Sequence, residues 1–156
     1  MFETISAFCA DYGNVLIEGT WETLIMVVLS TVLAYVIGVP LGVALIVTQP
    51  QGIRPHKGLY GVLGWIVNIG RSLPFAILLV AIMPYTRFLV GTAIGVRGAI
   101  PPLVISAAPF VARMVETSLS EVDAGVVEAA QSMGASPLQI VRKVYLPEAM
   151  PSLVLG

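Results

Sequence analysis

Between Thr23 and Val115 the sequence contains no acidic residue, and before Arg54 it contains no basic one. Charged residues make up 11% of the 156 positions, against about a quarter in an ordinary soluble domain. Hydrophobic residues reach 57%, with a mean hydropathy of +0.93, so the chain is expected to be an all-α integral membrane protein. A net charge of −1 gives no bulk basic signal for nucleic acid. The N-terminus has no basic segment followed by a short apolar core and a small-residue cleavage site, which excludes a secretory signal. One cysteine, Cys9, cannot close an internal disulfide and is assigned no role. The one histidine, His56, has no neighbouring Cys or second His and reads as a solvated loop residue rather than a metal ligand. There is no Gly-rich Lys-Ser/Thr phosphate loop, metal cluster or nucleophile triad, so no catalytic residue, metal site or bound cofactor is expected on this chain, and it is not read as an enzyme.

What is present is a series of apolar runs. Residues 1–22 carry Glu3, Asp11, Glu18 and Glu22 and read as an outer N-terminal segment. The uncharged stretch 23–47 is long enough to cross about 30 Å of hydrocarbon at about 1.5 Å per residue. Within it, Gly38, Pro40 and Gly42 combine a possible kink with small residues four apart, which permit close helix contact in a bundle. A polar turn with Arg54, His56 and Lys57 follows. Short basic loops stay in the cytoplasm, which puts the acidic N-terminus outside.

The second span is placed at 59–83 and is interrupted by Asn68, Arg71, Ser72 and Pro74. Pro74 lacks an amide donor and strains the helix against the Gly70 carbonyl, so the span should kink or open there. An arginine on such a break is expected to line or brace a path rather than face lipid. An outer connection at 84–98 leads to a third span at 99–118, with Pro101 and Pro102 at its start. Near its inner end, Arg113 and Glu116 are spaced to form an exposed pair that serves as an interfacial anchor.

A polar segment at 119–148 comes next. Asp123 is placed to cap a helix from Ala124, Gly134 to end it in the left-handed conformation, and Ser136-Pro137-Leu138-Gln139 to start another with a capping box. Val127, Ala130 and Met133 share one face at helical spacing, and Ala129 and Ala130 are small enough for another surface to approach. The order Glu128-Ala129-Ala130, three residues, Gly134, nine residues, Val144-Tyr145-Leu146-Pro147 resembles the EAA loop of ABC importer permeases, with Val144 in place of isoleucine. Residues 149–156 read as the start of a fourth span, and the sequence as truncated there.

Further blocks, Trp21-Glu22-Thr23-Leu24, Val67 to Phe75, Pro84 to Arg87, Ala108 to Glu116 and Met133 to Pro137, are similar to the permease subunit of bacterial methionine ABC importers. The resemblance implies a type I ABC importer permease bundle, here with three spans and the coupling loop, in the bacterial inner membrane with the EAA loop cytoplasmic. It further implies a permease homodimer, two cytoplasmic ABC ATPase subunits that use the ATP and Mg, and an extracytoplasmic methionine-binding lipoprotein. On that basis Glu128, Ala129, Ala130, Gly134, Leu146 and Pro147 couple to the ATPase, while Asn68, Arg71, Ser72 and Pro74 mark the path. Two alternatives stay open: the same permease type for another small amino acid or polar solute, and a secondary transporter or membrane scaffold.

Overall fold

The computed structural model describes residues 2–155, with side chains described for 12–154. Cys9, Glu3 and Asp11 lie outside those described side chains. The chain is helical throughout: α1 (Phe2–Thr48), α2 (Lys57–Ser72), α3 (Phe75–Val90), α4 (Gly95–Ser120), α5 (Ala124–Ser132), α6 (Pro137–Ile140), a π turn (Val141–Tyr145) and α7 (Leu146–Leu155). Two helices, Tyr12–Thr48 and Gly95–Ser120, are long and apolar enough to cross a membrane, and the pair α2 and α3 makes a third span if its bend is counted as one crossing.

Several expected boundaries move. Among the described residues no break sets the expected segment at 1–22 apart from the first span: α1 is one helix through Glu18, Glu22 and Pro40. Backbone bonding in a helix is indifferent to isolated exposed charges. Tyr12–Thr48 has 37 residues, and at about 1.5 Å each it is roughly 55 Å long and must project beyond a hydrocarbon layer of about 30 Å. Helix α3 likewise runs through Pro84 to Val90, so the outer connection shrinks to residues 91–94. Gly91 and Gly95 take φ of 81° and 78°, and this left-handed pair makes the short turn possible. Helix α4 therefore starts before the expected position, and Pro101 and Pro102 are interior.

Helix α4 is the hub. Against α1 it forms a seam in which a Cβ on Gly38 would lie 2.7 Å from Val111 Cβ, and one on Gly42 would lie 2.6 Å from the Ala112 carbonyl oxygen. The two glycines thus bring the backbones together inside this chain, as small residues do in membrane bundles. Leu45, Val67 and Ala112 join α1, α2 and α4 in one cluster. A larger cluster joins Ile46, Val111, Val115 and Leu119 to Val127, Ala130, Ile140, Val141, Tyr145 and Ala149. The N-terminal half of α1 is bare in contrast, with Val15, Leu16, Ile17 and Trp21 exposed.

Candidate functional site

The segment after α4 builds a corner from local rules. Asp123 Oδ1 accepts the Gly125 N–H at 2.7 Å, satisfying a free donor at the start of α5. At the other end, the Gly134 N–H donates to the Gln131 carbonyl at 2.9 Å and the Ala135 N–H to the Ala130 carbonyl at 3.1 Å. With Gly134 at φ 78°, these two bonds make a Schellman closure. The next helix opens on a complete capping box. The Ser136 N–H donates to Gln139 Oε1 at 2.8 Å and the Gln139 N–H to Ser136 Oγ at 3.4 Å, with Pro137 at the first helical position.

Tertiary packing then sorts the face expected for α5. Val127 and Ala130 are buried, but Met133 is 81% exposed. Helix α5 stops at Ser132, and Met133 follows as its C-cap at φ −78°, ψ 3°, where nothing covers its side chain. Glu128 and Ala129 are exposed, and Gly134 is too. The second short helix also has no far end where one was expected: α6 passes through the π turn directly into α7. Pro147 has no N–H for the Lys143 carbonyl and its ring would strike that group, so the backbone widens. The Leu146 N–H accordingly reaches back five residues to the Val141 carbonyl. Leu146 packs against the larger core cluster, whereas Pro147 is exposed. Tyr145 is buried in that cluster, and burial pushes its phenol above the ordinary tyrosine value because the anion loses water.

A contact not anticipated by the motif lies beneath this corner. Gln49, Gln51, Gly52 and Ile53, from the loop between α1 and α2, face Glu128 and Gln131 across a cleft of about 220 Å³. Nothing local in the sequence brings these segments together.

The second group of residues lies at the break. Helices α2 and α3 meet at 110°, far more than a proline kink in a continuous helix. Pro74 is extended, at φ −57° and ψ 133°, and gives α3 no side-chain cap. Ser72 Oγ donates to the Asn68 carbonyl at 2.7 Å. Asn68, Arg71, Ser72 and Pro74 are all exposed. Close by, a Cβ on Gly70 would lie 2.5 Å from Pro109 Cγ, so the end of α2 is pressed against α4. Arg71 shares a cleft of about 290 Å³ with Phe110, Arg113, Thr117 and Glu121.

Arg113 and Glu116 do pair, Nη1 to Oε2 at 2.6 Å, but not as an exposed anchor. Glu116 is buried, and the Tyr60 hydroxyl donates to its other oxygen at 3.2 Å. Helix α2 thus closes over the carboxylate, and a buried charge needs both partners. Tyr60 was missed because it lies on a different helix, with no spacing signal to Glu116.

The model of the binding-protein-dependent transport system inner membrane component matches residues 38–156. This chain belongs to that family. The matched range contains the α1–α4 seam, the break and the whole corner. A relative from Vibrio cholerae, named a probable D-methionine transport system permease protein, is 51% identical over 153 residues, covering 98% of this chain and 68% of its own length. The D-methionine transport system permease protein of Escherichia coli is 55% identical over 139 residues, covering 89% of this chain and 64% of its own. Among solved structures, an inward-facing conformation of the MetNI methionine ABC transporter aligns with a TM-score of 0.86 at 54% identity, over 90% of this chain and 65% of that one. An amino acid ABC transporter solved with histidines aligns with a TM-score of 0.57 at 25% identity. The chain thus spans about two thirds of the length of the relatives it matches.

Proposed function

We propose that this chain is the membrane-spanning part of a permease in an ATP-driven importer, taking up methionine, as the D-isomer, the L-isomer or both, across the bacterial inner membrane by alternating access. The observation that carries the reading is the corner at Gly134, a locally sealed turn packed against α1 and α4, with the exposed Glu128 and Ala129 presented to a partner. The names of the similar proteins, D-methionine permeases and a methionine ABC transporter, support the substrate.

In this reading α1, the pair α2 and α3, and α4 are the spans, and residues 119–148 are the coupling region. The N-terminus is outside and the corner cytoplasmic. Two copies of the permease work with two ABC ATPase subunits and an extracytoplasmic methionine-binding lipoprotein. ATP and Mg are handled by the ATPase, and this subunit does no bond chemistry. Closure of the ATPase dimer pushes on the exposed Glu128 and Ala129, and Ala130, which is buried rather than open to a partner, passes the push inward. Because Val127, Ala130, Ile140, Val141 and Tyr145 share one core with Ile46, Val115 and Leu119, the push reaches α1 and α4 as a rigid displacement. Leu146 and Pro147 carry it into α7. Asn68, Arg71, Ser72 and Pro74 border the path that opens and closes.

The test is reconstitution with a methionine-system ABC ATPase and binding lipoprotein. Co-purification of the ATPase and ATP-driven uptake of methionine into proteoliposomes are the expected results. Uptake driven by an ion gradient without ATP would instead identify a secondary transporter, and ATP-driven uptake of another amino acid would correct the substrate alone. Orientation is checked in a background lacking Cys9. A cysteine replacing Asn14 should react with an impermeant thiol reagent in intact cells, and one replacing Gln51 should not.

A further inference from the structure

The loop joining α1 to α2 lines two clefts, and only one of them includes Glu128. Its backbone is held tightly: the Gly52 N–H donates to the Gln49 carbonyl at 2.9 Å, the Arg54 N–H to the Val47 carbonyl at 3.0 Å and the His56 N–H to the Thr48 carbonyl at 3.0 Å. A Cβ on Gly52 would collide with the Ile46 carbonyl, so the glycine permits the tight fold.

A second cleft, of about 470 Å³, is lined by Arg54, Pro55 and His56 together with Val47, Thr48 and Leu59. Its lining combines the apolar Val47, Pro55 and Leu59 with Arg54 and His56. No acidic residue lines it. The Arg54 guanidinium has no ion-pair partner among the described residues. His56 accepts the Leu59 N–H at Nδ1, so in the neutral ring the proton is on Nε2, a donor. Thr48 spends its hydroxyl on the Ala44 carbonyl. Lys57 follows at once as the first residue of α2. The cleft sits where α1 ends and α2 begins, at the depth of lipid headgroups if both helices are spans.

We propose that this cleft binds the phosphate headgroup of an anionic phospholipid, with Arg54 and His56 holding the phosphate, Lys57 adding positive charge from just outside the cleft, and Val47, Pro55 and Leu59 receiving the upper acyl chain. The proposal rests on the reading of α1 and α2 as membrane spans. A guanidinium matches phosphate oxygens in pairs, and basic clusters beside membrane helices are attracted to anionic headgroups.

The test is native mass spectrometry of the purified protein equilibrated with equal amounts of phosphatidylglycerol and phosphatidylcholine. The protein is expected to retain phosphatidylglycerol about tenfold over phosphatidylcholine. Arg54→Gln combined with Lys57→Gln should bring that ratio to about twofold or less, while Arg54→Lys should keep most of it. Removing two exposed charges elsewhere, by Arg142→Gln with Lys143→Gln, should leave the ratio unchanged. Circular dichroism confirms that each variant keeps its helices, and Arg54→Gln alone serves if the double variant does not. Equal retention of the two lipids by the unaltered protein would overturn the proposal, as would an equal loss in the Arg142 and Lys143 variant. Displacement of the lipid by inorganic phosphate alone would identify a free-anion site and overturn it too. Release of the chain from membranes by an alkaline wash would refute the span reading itself, whereas a retained chain with no lipid preference would refute only the headgroup site.

Discussion

At Gly134 and at Pro74 the chain changes direction sharply, but the two corners are made in opposite ways. At Gly134, donors on both sides of the turn are satisfied by residues within five positions, and the flanking helices bury Val127, Ala130 and Ile140 in a common core. At Pro74 the next helix starts with no side-chain cap, and every residue from Arg71 to Ile77 is exposed. A turn sealed by its own hydrogen bonds transmits force as a lever. An open break takes its shape from whatever packs around it, and it leaves groups such as Arg71 free to meet water or a solute. Under the proposed function, the sealed corner is the place that is pushed and the open break the place that rearranges.

The largest effect is expected from Gly134→Val, which attacks the sealed corner directly. A Cβ there meets nothing within 4 Å, so the damage is conformational: a left-handed φ costs an L-residue about 1–2 kcal/mol, more when it is β-branched. Uptake coupled to ATP should fall by about tenfold or more, while membrane level stays normal. Gly134→Asn should recover most of it, because asparagine tolerates that region. Full coupled uptake by Gly134→Val would remove the distinction between the two corners.

Next comes Arg71→Gln at the open break. Since no described residue pairs with Arg71, the substitution should leave ATPase co-purification unchanged yet lower uptake, by roughly three- to tenfold for a lost charged contact. A drop in co-purification equal to that in uptake would show that the break and the corner fail together. Glu128→Ala should give the reverse pattern in milder form, weakening ATPase retention by a few fold, as expected for an exposed charge.

The loss of one seal at a time is smaller. Ser136→Ala removes half of the capping box and should destabilise the corner by about 1 kcal/mol, measurable as faster amide exchange at residues 137–141. Alanine at Ser72 should have no counterpart effect on exchange in α3, because α3 receives no cap from it.

The smallest effect is one of pH. Tyr145 has its folded pKa raised by burial, so its contribution is present below the unfolded value of about 10 and is lost as pH rises from there through the folded value. The corner should therefore loosen in alkali, and Tyr145→Phe should flatten that dependence. A wild-type corner equally stable at neutral pH and well above 10 would contradict it.

Much of the corner was legible in the sequence because caps are short-range. Asp123, Gly134, Ser136 and Gln139 act on backbone groups two to five residues away, so their spacing alone announces the geometry. The location of the break was legible for the same reason, since a proline forbids a bond to the fourth residue before it. The angle was not: a missing hydrogen bond permits many bends, and the contact of Gly70 with Pro109 belongs to another helix. Helix ends were misjudged wherever apolar or charged composition stood in for backbone bonding, as at Glu18 in α1 and Pro84 in α3.

The sequence by itself therefore determined that the chain is a set of apolar helices, where one of them must open, and how a capped corner is built from Asp123 to Gln139. Only the tertiary structure decided that Gly38 and Gly42 face α4, that Tyr60 closes over Glu116, that Met133 stays exposed while Val127 and Ala130 are buried, and that the loop at Gln49–Ile53 shares a cleft with Glu128. The physical reason is range. Hydrogen bonding within a helix and at its ends is settled among residues a few positions apart, whereas burial and ion pairing depend on which distant surfaces come together, and a uniformly apolar sequence leaves little patterning to say which those are.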